Sequence, residues 1–213
     1  MTEIINIKGC DVEISVDVWA ENPRNWGCTS STLCTAHRKY DLGGIDLTAN
    51  AYSLNGAFKQ HLQEQGLTDK DIICRDVYLY DHGGFLGLST EAFVCSWDSG
   101  QLGYIYEKRS DIRQEFNVKR ISPKLEQQIL NRLDAEINEL GYYYNGEVYS
   151  FSVAGESYGG FYGYNHEESG LIAMATETVD AIRQQQLRQH INRLKRLIKA
   201  GVGLEYRPAL SLI

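Results

Sequence analysis

Hydrophobic and polar residues alternate in two short runs at the start of the chain, Ile5 and Ile7, then Val12, Ile14, Val16 and Val18 beyond a polar turn at residues 8–11. A period of two places one set of side chains on one face of a strand, so these runs predict a hairpin with a single buried face. Residues 21–55 are rich in Asn, Gly, Ser and Thr and hold no sustained period, apart from a predicted short helix over 31–40 capped by Ser30 or Ser31. The period then lengthens. Leu54, Ala57, Phe58 and Leu62 share one helical face before a stop at Gly66. Residues 72–80, 85–89, 92–97 and 101–106 read as strands of an antiparallel meander, with a turn at Gly83 and Gly84.

A short helix is predicted over 110–116. A longer one starts where Ser122 and Pro123 supply an N-cap and a first-turn proline, and Leu125, Ile129, Leu133, Ile137 and Leu140 recur at helical spacing up to Gly141. Two further strands follow over 147–153 and 158–164. Residues 168–199 then form a proline-free helical pattern whose stripe, Val179, Ile182, Leu187, Ile191, Leu194 and Ile198, slips phase once between Ile182 and Leu187. The expected fold is α+β: a mainly antiparallel sheet with helices packed on one side and a long C-terminal amphipathic helix. This reads as a core domain over 1–166 and a helical extension over 167–213.

Composition places the chain among globular proteins: 213 residues, 43% hydrophobic and 23% charged, with 3 Pro. No run approaches the roughly 18 apolar residues of a spanning helix, and the first eighteen residues carry acids where a signal peptide has a basic stretch and an apolar run. The expectation is a cytoplasmic protein with no membrane contact. The formal charge is −7, yet residues 183–199 hold six basic residues and no acid. The acidic excess therefore lies in the rest of the molecule. Arg188, Arg193 and Arg196 are candidate binding residues on a basic helix whose apolar stripe predicts a homodimer.

Five cysteines, Cys10, Cys28, Cys34, Cys74 and Cys95, form no CxxC pair, so neither a disulfide framework nor a zinc knuckle is expected, and no cofactor motif is present. Cys10 and Cys74 sit among strand-forming residues and read as inert. Three segments gather reactive side chains: CTAHRKYDLGG from Cys34, YLYDHGG from Tyr78 and CSWDSGQLGYIY from Cys95. Three residues apart on a helix, Cys34 and His37 would be neighbours, and the imidazole would lower the thiol pKa. His82 and Asp81 precede two glycines at a strand end, and Asp98 follows Cys95 in a turn. Catalysis would use Cys34 or Cys95 as nucleophile, His37 or His82 as base and Asp81 or Asp98 as orienter; hydrogen-bonded turns and packing account for the same residues without it. Tyr149, Tyr158, Phe161, Tyr162 and Tyr164 form an aromatic cluster suited to binding.

These segments, with NGEVYSF and YGGFYGY, occur in an order that resembles a family of phage- and prophage-encoded proteins generally labelled hypothetical, over about residues 12–164. That family brings no catalytic assignment. That resemblance, with the acidic body and the Tyr-rich surface, points to an accessory protein of a phage or mobile element that binds and inhibits a host factor, with counter-defence of the anti-CRISPR or anti-restriction type as its role. Its partner would be a host defence protein or a protein–nucleic-acid complex, and an acidic surface competing for a basic groove would bind less well as salt is raised. The alternatives are a Cys/His-dependent hydrolase or transferase and a dimeric scaffold; the balance of residues leans away from an enzyme.

Overall fold

The computed structural model describes residues 2–206 apart from 28, 38, 41 and 49–52. In chain order the elements are β1 (Glu3–Ile7), β2 (Cys10–Val16), β3 (Thr32–Thr35), β4 (Ile45–Asp46), α1 (Leu54–Glu64), β5 (Ile72–His82), β6 (Phe85–Ser89), β7 (Ser99–Lys108), α2 (Arg109–Glu115), α3 (Pro123–Tyr144), β8 (Val148–Val153), β9 (Glu156–Tyr162) and α4 (Leu171–Lys199). The fold is α+β and the strands are mostly antiparallel, but they form two sheets rather than one. The chain divides into two compact units, residues 1–20 with 147–213 and residues 21–146. This division differs from the expected one at residue 166, because strands from both ends of the chain pair with each other.

In the first unit the order is β1-β2-β8-β9, antiparallel throughout. Alternation on β2 buries Cys10, Val12 and Ile14 and leaves Asp11 and Glu13 outside. Phe151 and Val153 of β8 join them, and Leu171, Ala175 and Val179 of α4 cover this face. The β1–β2 hairpin turns through Lys8 and Gly9, both at positive φ, the geometry whose twist matches that of the paired strands.

The second unit has the order β4-β3-β7-β5-β6, with only β3 and β4 parallel. Ser122 caps α3 by accepting a hydrogen bond from the Leu125 amide, and the apolar stripe Ile129, Leu133, Ile137 and Leu140 packs on Leu33, Ile73, Val77 and Ile105. The other face of the same sheet carries Cys34, Ile72 and Tyr106, covered by Ala57, Phe58 and Leu62 of α1. Helices thus lie on both sides of this sheet.

Three local expectations are corrected. Residues 32–35 are strand β3 rather than part of a helix: Leu33 and Cys34 face opposite layers, and β7 lies so close that a Cβ on Gly103 would sit 1.9 Å from the Cys34 carbonyl oxygen. Residues 92–97 form a loop, because Val94 and Trp97 face solvent with no strand beside them. Helix α3 runs through Gly141 to Tyr144, since that glycine is buried against Leu88.

Candidate functional site

All three reactive segments meet in the second unit. The end of β5 brings Asp81 and His82, the start of β7 brings Ser99 to Leu102, the chain leaving β3 brings Ala36 and His37, and the loop before β7 brings Trp97 and Asp98. Between them lies a cleft of about 340 Å³ lined by His37, Asp81, Trp97 and Asp98 among others. Pairing explains the convergence: β5 lies beside β7 with Tyr80 opposite Ser99, and the Asp81 amide donates to the Asp98 carbonyl at 2.9 Å.

Asp81 accepts from the Tyr40 hydroxyl at 2.8 Å and from Lys39 Nζ at 3.1 Å, and these bonds hold its carboxyl below the usual range. His37 Nδ1 accepts from the amides of Lys39 and Tyr40, both at 3.2 Å, so the neutral ring carries its proton on Nε2. The ring stacks on Tyr40 with centroids 5.0 Å apart. Across the cleft, His82 Nδ1 lies 3.0 Å from Asp98 Oδ2, and the Cys95 thiol donates to that same oxygen at 4.0 Å. The Ser99 hydroxyl bonds the Cys95 carbonyl and closes the loop. Within this closed turn Trp97 is 94% exposed, and Val94, immediately before it, is fully exposed.

The expected nucleophiles separate. Cys34 has no exposed surface, and burial pushes its thiol up to about 12, against the opposing influence of Arg24. It is a core side chain, and its position on a strand removes the helical neighbourhood with His37. Cys74 is likewise raised to about 12, first by burial, and Cys10 is buried in the other unit. Cys28 lies outside the described residues. Cys95 does meet Asp98 and, through that carboxylate, His82. The carboxylate stands where a base would have to stand, so the imidazole is not the thiol's proton acceptor in this geometry.

A second cavity of the same unit, about 630 Å³, was not legible in the sequence. Its walls include Pro23, Trp26, Asp111, Ala135 and Glu139 and a set of paired charges. Arg24, with only 8% of its side chain exposed, donates to Ser31 Oγ and to Glu136 Oε2, both at 2.8 Å, while Ser31 also donates to Glu136. Arg132 spans the buried Glu107 and the more exposed Glu115. Burial raises the carboxyls of Glu107 and Glu139, the first opposed by Arg132, the second reinforced by Glu136. Spacing of four and three on α3 marks Arg132, Glu136 and Glu139 as one flank; Arg24 and Glu107 carry no local signal.

The aromatic cluster is divided by burial. Phe161 and Tyr149 pack on the core of the first unit, Tyr149 edge-on to His166, whereas Tyr158 and Tyr164 are exposed and Tyr162 is half-buried. Arg188, Arg193 and Arg196 are exposed on α4. Among the described residues no group of three or more His, Cys, Asp or Glu is placed to hold a metal ion, and no helix is long and apolar enough to cross a membrane. No family profile, curated protein or solved structure matches the chain.

Proposed function

We propose that this is a binding protein whose partner seats on the loop carrying Val94 and Trp97, and that its role is that of a phage or mobile-element accessory protein inhibiting a host defence protein. One observation carries the binding reading: Trp97 stands almost wholly in water in a turn closed by the Ser99–Cys95 hydrogen bond, with the exposed Val94 directly before it. Leaving that apolar surface hydrated is unfavourable, and burying it under a partner recovers the loss. Lys39, Asp81, His82 and Asp98 supply the polar rim that surrounds aromatic anchors at protein interfaces. The counter-defence role comes from the phage-like order of motifs in the sequence.

Affinity capture from a bacterial host tests this reading. Stoichiometric recovery of one defence protein by the wild type, weakened by at least about 2 kcal/mol in Trp97→Ala with an unchanged melting temperature, supports it. Recovery unaffected by Trp97→Ala overturns it. A second reading takes the Asp98 carboxylate, held by His82, as the acceptor of the Cys95 thiol proton: a thiol-dependent hydrolase or transferase. Inhibition that vanishes in Cys95→Ser while the partner is still captured would favour that enzyme.

A further inference from the structure

Helix α4 carries two apolar stripes on different faces. Leu171, Ala175 and Val179 are buried against the β1-β2-β8-β9 sheet, with Ile182 packed at the margin. The next apolar position is Leu187, five residues on, which turns the stripe by about 140° relative to Ile182. The second stripe therefore points away from the sheet: Leu187, Ile191 and Ile198 are 42%, 40% and 55% exposed, and Leu194 is half-buried.

Its spacing is four, three, four, the narrow seam of a coiled coil rather than a broad lipid-facing surface. In heptad terms Ile191 and Ile198 are the a positions and Leu187 and Leu194 the d positions, the arrangement that favours two parallel strands. The flanking e positions are Arg188 and Lys195, and the g positions include Arg183 and His190. In a parallel pair each g residue meets the following e residue of its partner. A second copy would set Arg183 against Arg188 and His190 against Lys195, twice over. The Arg183–Arg188 pair, met twice, disfavours self-pairing, whereas glutamates opposite Arg183, Arg188 and Lys195 would complete those pairs.

We infer that the C-terminal half of α4 docks an acidic amphipathic helix of a partner protein, in a two-stranded parallel seam along the exposed or half-buried Leu187, Ile191, Leu194 and Ile198. This surface is separate from the Trp97 loop and does not depend on that reading.

The test uses the full chain and two synthetic 21-residue helical peptides, both with Ile at a and Leu at d, one with Glu and the other with Lys at e and g. Fluorescence anisotropy should show the Glu peptide binding at least tenfold more tightly than the Lys peptide. Ile191→Asp should abolish that binding, and the double variant Arg188→Glu/Lys195→Glu should reverse the preference. All three positions are exposed, so circular dichroism should report an unchanged fold. Equal binding of the two peptides overturns the inference. So does a dimer of the wild-type chain in sedimentation at micromolar concentration that Ile191→Asp dissolves, and so does Ile191-dependent binding to phosphatidylserine vesicles or a 20-base-pair DNA duplex tighter than to the Glu peptide.

Discussion

The 630 Å³ and 340 Å³ cavities of the second unit use similar side chains to opposite ends. Around the larger, Arg24 and Arg132 are consumed by Glu136, Glu107 and Glu115, inside a wall where Glu107 is 1% exposed. Around the smaller, Lys39, Asp81, His82 and Asp98 pair at the surface, beside a tryptophan that is almost wholly exposed. Removing one partner from a buried pair strands a charge away from water, while an exposed pair loses little. The residue types alone therefore say little about use. Burial decides whether a charged group holds the fold together or remains available to another molecule.

The sharpest way to break this contrast is Arg132→Leu, which leaves Glu107 buried without its cation. A loss of about 3–5 kcal/mol is expected in urea unfolding, with most of it regained in Arg132→Leu/Glu107→Leu. A loss no larger than that of an exposed pair would show that the wall is not structural. Next in size is the difference between thiols. Native protein should lose one rapidly labelled thiol in Cys95→Ala, whereas Cys34 should react only on unfolding, because its sulfur is buried and protonated. Labelling of Cys34 in the native state would contradict its place in the core.

The smallest effect is a pH dependence at Glu139. Burial, then the charge of Glu136, raises its carboxyl above the ordinary glutamate value in the folded state. The folded chain thus holds this proton more tightly than the unfolded chain. The corresponding stability is present below the unfolded value and is lost as pH rises through the folded one. Glu139→Gln should remove that loss, so its melting temperature should gain on the wild type between mildly acidic and neutral pH. A difference that stays flat over that range, or shrinks, would contradict the burial argument.

Much of the fold was legible where one period governed a long stretch. The Ser122 and Pro123 start of α3, its stripe from Ile129 to Leu140, the β1–β2 hairpin and the length of α4 all follow from local pattern and capping. Strand β3 was not, because four residues are too few to establish a period; β7 and the two layers packed against Leu33 and Cys34 decide its state. The 92–97 segment misled for the opposite reason: it has strand-like residues, and no neighbour pairs with them.

The candidate site divides in the same way. The sequence singled out His37, Asp81, His82, Cys95 and Asp98 by residue type, and the turn glycines beside them by conformation. Only the pairing of β5 and of β3 with β7 brought those segments to one cleft, and only packing put Cys34 in the core under α1, out of reach of solvent. In the wall of Arg24, Glu107, Arg132 and Glu136, helical spacing links Arg132 with Glu136 on α3, but Arg24 and Glu107 left no local mark, because the members come from three segments whose meeting depends on long-range contacts. Alternation, helical spacing and capping act among neighbours in the chain and are written in order along it. Sheet membership, burial and the proximity of charges depend on residues distant in sequence, so the tertiary structure alone decided them.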